Sequence, residues 1–195
     1  MNKNINVQKK ISFFLPNLGS GGLTRVILLL VGSLIDRGFE VDLVMNSRDQ
    51  SQDLLRLLPA EANVVKLKSK RTITSIIPLA KYLKSHKRHV LISGGPDVNS
   101  IAVLAKILSR SSVKLILTEH SMPSFNTHST KKFKGEILNL LTKRLYPKAD
   151  HIVAVSDAVA KDLSKFINYP YSSIKVIYNP IVSPTLIEQS HVKVD

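Results

Sequence analysis

The 195-residue chain has no cysteine, which excludes both a disulfide framework and a zinc-thiolate centre. Its six histidines show no HExxH-type spacing, so no metal site is expected. No stretch approaches the ~20 consecutive apolar residues that span a bilayer. The first residues, Met1 to Val7, are polar where a signal peptide would be apolar, and a cytoplasmic location is the default expectation. Acids are scarce as well: 14 Asp and Glu stand against 28 Lys and Arg, a formal charge of +14. Three kinds of partner would match that surplus: nucleic acid, an anionic membrane surface or a phosphorylated substrate. A basic surface that only aids solubility is the plain alternative. The basic clusters lie at Lys66, Lys68, Lys70 and Arg71, at Lys81, Lys84, Lys87 and Arg88, and at Lys131, Lys132, Lys134, Lys143, Arg144 and Lys148. Few aromatic residues interleave with them, which argues against a single-strand groove; nucleic acid is not an expected partner.

What the chain does have is 44% hydrophobic and 22% charged residues, the composition of a folded domain with one sizeable core. Its organising stretch is Pro16-Asn17-Leu18-Gly19-Ser20-Gly21-Gly22. An apolar run, Ile11 to Leu15, precedes it. Behind it Leu23, Val26, Ile27, Leu30, Val31, Leu34 and Ile35 recur on one face of a helix. The order is strand, glycine-rich turn, helix. Such a turn leaves backbone N–H groups free to meet a phosphate or carboxylate at the positive end of the helix dipole. The simpler reading is a tight connection whose glycines supply φ > 0.

Strand and helix alternate from there on. Gly38 reads as a left-handed cap, and Glu40 to Met45 as an interior strand. A short helix spans Asp53 to Leu58, and a strand Val64 to Leu67. Thr72 to Lys87 reads as a helix with a late start or a kink at Pro78. His89 to Ser93 is a strand. Asp97 is a candidate cap for the helix Val98 to Ser109, with Ile101, Val103, Leu104 and Ile107 inward. Then come the strand Lys114 to Thr118, the helix Thr130 to Tyr146, the strand His151 to Val155 and a helix capped by Ser156. The last strand is Ile174 to Ile177. The pattern predicts an α/β fold: a single doubly wound, Rossmann-like domain on a mostly parallel sheet. Ligands of such sheets lie at the carboxyl ends of the strands, where Gly19 to Gly22, Gly94-Gly95, Glu119-His120, Ser156 and Asn179-Pro180 fall.

The glycine turn is neither a dinucleotide fingerprint nor a P-loop. Instead, five passages resemble the N-terminal domain of family 4 retaining glycosyltransferases, of GT-B fold: Leu18 to Val26, Gly38 to Val44, Thr118-Glu119-His120, Ala149 to Ser156 and Val176 to Pro180. The resemblance covers about residues 10 to 182. Leu23-Thr24 departs from it, since the family often has a small residue and then Glu there. The resemblance implies that Gly21 and Gly22 approach the donor diphosphate and that His120 is a catalytic residue beside the reacting sugar. It implies acceptor contacts at Gly19, Gly94, Gly95, Glu119 and Ser156, and a linker to a second domain beginning at Asn179-Pro180. The co-substrate would be a nucleotide sugar, with no metal or other cofactor. The acceptor would be a saccharide or lipid-linked, and the basic clusters would then meet anionic lipid on the inner face of the membrane.

On this reading residues 1–9 are a tail, 10–180 the glycosyltransferase domain, and 181–195 a truncated linker to an absent C-terminal domain that would complete the donor site. The chain alone is then expected to be inactive. The competing expectation is a catalytically inactive, stand-alone α/β module that binds a membrane or a partner.

Overall fold

A computed structural model describes residues 9–19, 21–47, 55–126 and 132–180. Ser20, the first two residues of the expected helix from Asp53, the residues just before Lys132 and the expected linker 181–195 lie outside the described residues.

The apolar runs at Ile11 to Leu15 and Val41 to Met45 become deeply buried strands. β1 (Lys10–Phe14) and β2 (Glu40–Asn46) are buried on both faces except at their first residues. β3 (Asn63–Leu67), β4 (Val90–Gly94), β5 (Lys114–Glu119), β6 (His151–Ala154) and β7 (Ile174–Val176) complete the sheet. Its order is β3-β2-β1-β4-β5-β6-β7, and every pairing among these strands is parallel. The doubly wound expectation holds, and the sheet is more uniform than "mostly parallel". Right-handed crossovers put helices on opposite faces as the chain winds first toward β3 and later toward β7. α1 (Gly22–Asp36) covers one face through Ile27 and Val31, against Ile11, Phe13, Val41 and Leu43. The other face is covered by α2 (Ile76–Ser85), α3 (Pro96–Ser109), α5 (Lys132–Leu145) and α6 (Asp157–Ile167), with a short α4 (Pro123–Asn126) before α5. Leu79, Leu83, Ala102, Ala105 and Leu163 there meet Phe14, Leu91, Leu115 and Leu117.

Several helix ends differ from expectation for local reasons. Thr72–Ser75 is a 3-10 turn, and α2 begins only at Ile76. That makes Pro78 its third residue, where an N–H has no intrahelical acceptor to lose. Asp97 does not cap α3. The helix starts two residues earlier, with Gly95 at the N-cap (φ 89°) and Pro96 at the first position, while Asp97 lies in the first turn near the positive dipole end. Ile107, expected inward, is 51% exposed; it stands about half a turn around the helix from Ala105 and Ser109, which are buried. Gly38 is the left-handed residue anticipated (φ 79°); its N–H donates to Ile35 O and that of Phe39 to Leu34 O.

Candidate functional site

The strand order reverses between β1 and β4, and the crevice of a doubly wound sheet opens at the carboxyl ends of such a pair. The loop leaving β1 is tied down by Leu15 N–H donating to Val44 O and Asn46 N–H donating to Pro16 O, both at 3.1 Å. It then enters α1 with Gly21 as N-cap; no side chain caps the helix and no acid occupies its first turn. Gly21 sits at φ −77°, and among the described residues only Gly38 and Gly95 are glycines with positive φ. So Gly19, Gly21 and Gly22 do not serve the backbone conformation. Nor do they serve internal packing, since a Cβ at any of the three would meet nothing within 4 Å. Their bareness faces outward.

Gly94 is the opposite case. A Cβ there would come within 2.9 Å of Thr118 Oγ1, 3.1 Å of Leu23 Cδ1 and 3.5 Å of His120 Nε2. Three loop-bearing elements therefore converge on it: the first turn of α1, the end of β4 and the end of β5. Gly95 needs its glycine for the left-handed backbone.

His120 is half-buried at the end of β5, with Nε2 3.0 Å from Thr118 Oγ1. Thr118 spends its single hydroxyl hydrogen on Ser93 O at 2.9 Å, so toward His120 it accepts. That assigns the ring proton to Nε2 and leaves Nδ1 as an acceptor. Burial holds the imidazole pKa below its usual value, which keeps the ring neutral near pH 7.

Glu119 stands behind the crevice wall rather than on it. It is 0% exposed; Oε1 accepts from His120 N–H at 3.2 Å and Oε2 from Tyr146 O–H at 2.7 Å. The expected direct contact with an acceptor has no opening in this structure, because protein groups take both oxygens. Burial pushes its pKa up to about 7, against the lowering effect of Tyr146, His120 and Ser121. Burial, then the Glu119 charge, raises the Tyr146 phenol well above its usual value. Asn99 closes the chain of bonds. Its amide donates to Tyr146 Oη at 2.9 Å and to Thr118 O at 3.0 Å, while Ser93 Oγ donates to its Oδ1 at 2.7 Å. Sequence reasoning missed Ser93, Asn99, Thr118 and Tyr146 as members of one network. Only Tyr146 carried a signal, a large polar-tipped aromatic next to Pro147, and that read as a helix end.

Ser156 and Asn179 share the edge but sit at the ends of β6 and β7, two and three strands out from β4. Ser156 Oγ accepts from Val159 N–H at 3.2 Å and caps α6 as expected. Asn179 is half-buried and Pro180 exposed. Among the described residues no group of three or more His, Asp or Glu is placed to hold a metal ion, and no helix is long and apolar enough to cross a membrane. A cavity of about 610 Å³ does exist, but it lies between the C-terminal ends of α2 and α3, lined by Lys84, Lys87, Arg88 and Arg110 among others. That is the opposite edge of the sheet.

Comparison with known proteins gives the crevice a context. The description of Glycosyltransferase Family 4 matches residues 20–182. A Campylobacter jejuni protein named N-acetylgalactosamine-N,N'-diacetylbacillosaminyl-diphospho-undecaprenol 4-alpha-N-acetylgalactosaminyltransferase is 26% identical over 182 residues, covering 89% of this chain and 48% of its own length. Among solved structures, a lipopolysaccharide outer core galactosyltransferase, WaaB in its apo form, superposes with a TM-score of 0.67 at 16% identity, over 88% of this chain and 46% of its own. Anabaena Alr3699/HepE, in complex with UDP and glucose, gives 0.62 at 18%, over 94% and 49%. At these identities the structures speak for the fold. The chain spans about half the length of the relatives it matches.

Proposed function

The chain belongs to Glycosyltransferase Family 4, and from that premise we propose that it is the acceptor-side half of a retaining glycosyltransferase of GT-B architecture. The enzyme moves a sugar from a nucleotide-sugar donor to a saccharide or lipid-linked acceptor in cell-surface polysaccharide synthesis. The relative whose name specifies a diphospho-undecaprenol acceptor and the structural neighbour holding UDP and glucose support the two substrate classes. The observation that carries the reading is the trio of glycines at the switch point. Neither φ nor any neighbour within the chain asks for glycine at 19, 21 or 22, whereas the approach of a diphosphate from outside does.

In the transfer, the bond from the anomeric carbon to the donor phosphate oxygen breaks, the acceptor hydroxyl oxygen takes its place, and the hydroxyl proton passes to the departing diphosphate. Positive charge builds on the sugar, and negative charge on the departing nucleoside diphosphate. The N–H groups of the Gly21-Gly22 turn and the dipole of α1 stabilise the departing charge. His120, with Nε2 held by Thr118, presents the rest of its ring to the reacting sugar. Glu119 acts through the backbone of His120, and Asn179-Pro180 leads on to a second domain that holds the nucleotide. In this reading the second half supplies the remaining cations for the diphosphate, and no metal or other cofactor takes part.

One wall of a cleft neither orients a donor nor neutralises it fully. The 195-residue chain alone therefore binds nucleotide sugar weakly and transfers nothing. Calorimetry of this chain with UDP-sugars tests the half-site: no affinity tighter than about 100 μM is expected, and a micromolar Kd would overturn the single-wall reading. A transfer assay on the full-length polypeptide, with a diphospho-polyprenol glycan as acceptor, tests the activity. There His120→Ala lowers kcat by about 100-fold or more; wild-type turnover in that variant would remove His120 from the chemistry. A full-length protein inert with every nucleotide sugar would favour a non-catalytic module.

A further inference from the structure

The cavity of about 610 Å³ at the amino edge of the sheet lies between the ends of α2 and α3. Small-molecule sites enclose about 300–1,000 Å³. Leu83 is its one apolar lining side chain; the others are Lys, Arg, His or Ser, and no carboxylate lines it. Three of its cations, Lys84, Lys87 and Arg110, are exposed. No ion pair among the described residues takes them up. Cations at helix C-termini have a plain role, since each end offers about half a negative charge. Two such ends call for about one cation, and three stand here. The neighbouring acids are already answered, Glu40 by Lys10 and Arg88 and Asp42 by Arg88. The surplus is about two positive charges, which matches the charge of a phosphate monoester.

Arg88 adds what the helix ends do not explain. Its side chain is 6% exposed, with Nη1 on Glu40 Oε1 and Nη2 on Asp42 Oδ2, both at 2.6 Å. Its Nε is buried and has no hydrogen-bond partner among the described residues. A buried donor left unsatisfied is costly. This one belongs to a residue that lines the cavity, where an acceptor oxygen would satisfy it. Two further donors stand on the lining. Ser111 Oγ accepts from Val113 N–H at 3.2 Å, and its own hydrogen has no acceptor among the described residues. His89 Nδ1 accepts from Lys10 N–H at 3.1 Å, which puts the ring proton on Nε2. The rim is also set in advance. Ser109 Oγ donates to Lys106 O at 2.9 Å and accepts from Ser111 N–H at 3.2 Å, fixing the turn that holds Arg110 at φ 52°.

We propose that this cavity is a second ligand site, for a small, soluble, hydroxyl-bearing phosphate monoester. The phosphate meets Lys84, Lys87 and Arg110 and accepts from Arg88 Nε, while Ser111 and His89 donate to the oxygens of the remainder. One buried leucine offers no surface for acyl chains, so the lining favours a hydrophilic ligand over a lipid. The cavity lies just before the first residues of β4 and β5, whereas Gly94 and His120 stand at their far ends. The ligand is therefore no substrate of the crevice, and the inference does not depend on sugar transfer. Bound there, it clamps the end of α2 to the end of α3.

Calorimetry of the 195-residue chain with glucose 6-phosphate, glycerol 3-phosphate and inorganic phosphate tests this at about 150 mM salt. At least one ester should bind with a Kd below about 1 mM, about tenfold or more tighter than inorganic phosphate. In isotope-labelled chain, the Arg88 Nε–H resonance should shift as that ester saturates. Lys87→Gln combined with Arg110→Gln should weaken binding about tenfold or more. Lys66→Gln with Lys68→Gln, at the carboxyl edge, should leave it unchanged. All four side chains are exposed, so without ligand the melting curves of both variants should match the parent. No binding of either ester up to about 10 mM would overturn the proposal. So would an Arg88 resonance unmoved at saturation, or binding that the Lys87/Arg110 variant keeps or the Lys66/Lys68 variant loses equally. Inorganic phosphate bound as tightly as the esters would mean an adventitious ion only. Flotation on phosphatidylglycerol vesicles that the Lys87/Arg110 variant abolishes, with no ester bound, would give these cations to a membrane and overturn the site. None of these readouts involves sugar transfer, so they fail or succeed separately from the transferase reading.

Discussion

The glycines show how different jobs can be done by one residue type within a single site. Gly22→Ala adds a Cβ into open space at an ordinary backbone conformation. Thermal melts should show stability unchanged or raised by up to about 1 kcal/mol, while donor turnover in the full-length protein falls. Gly94→Ala drives a Cβ to 2.9 Å from Thr118 Oγ1 and should cost about 1–3 kcal/mol. Equal stability losses in the two variants would contradict this division. Two carboxyls likewise act in opposite senses. Burial pushes Asp150 up, but Lys106, Leu115 N–H and Lys114 outweigh it and hold its pKa at about 2. Its contribution is present above about pH 4 and fades as pH falls toward 2. Glu119 is raised to about 7, so the folded state keeps a proton that the unfolded chain has given up. Stability from this group is full below about pH 4.5 and lost as pH rises through 7, by on the order of 3 kcal/mol. Urea titrations across pH 4 to 8 should show that decline, and Glu119→Gln should flatten it.

At the scale of elements, the sequence carried most of the fold. β1 and β2 were legible because burial on both faces demands continuous apolar runs, and α1 because its face repeats over four turns. Ser156 was legible because an N-cap is a local device: Ser156→Ala should lower stability by about 1 kcal/mol in chemical denaturation, with the sheet unchanged. The misreadings have non-local causes. Asp97 looked like a cap, yet Gly95 and Pro96 begin α3 earlier because β4 must turn sharply past Thr118. Ile107 looked inward, yet α3 turns the face of Ile101, Ala105 and Ser109 to the core and leaves Ile107 about half a turn away from it. The candidate site was half legible. Its glycines and His120 stand at strand ends that local patterns mark. The bonds from Glu119 through Tyr146 and Asn99 to Ser93 join residues up to 47 positions apart, and no spacing rule encodes them.

On the scale of the whole molecule, the two edges of the sheet have different characters. At the amino edge, fully buried Asp42 accepts from Tyr82 and from Asn63, and pairs with Arg88, which also binds Glu40. Arg88 itself is 6% exposed. Such a pair gives little net stability when intact but is costly to break by halves. Arg88→Ala should lower stability by about 3–5 kcal/mol, read from the denaturation midpoint, and removing both charges with Asp42→Asn should recover part of it. The carboxyl edge has the reverse design, with bare glycines and a half-buried imidazole on offer.

The wholly parallel sheet also dictates an order of events. Each strand pair needs a crossover, and the widest in sequence is β1 with β4, where Ile11 meets Val90. Closing the long loop between them costs more chain entropy than any other pairing in the sheet. The hairpin-free halves on either side can gather through nearer contacts first. The seam on which Gly94 meets Leu23 and His120 joins those two halves, and closing it should be the slowest step of refolding.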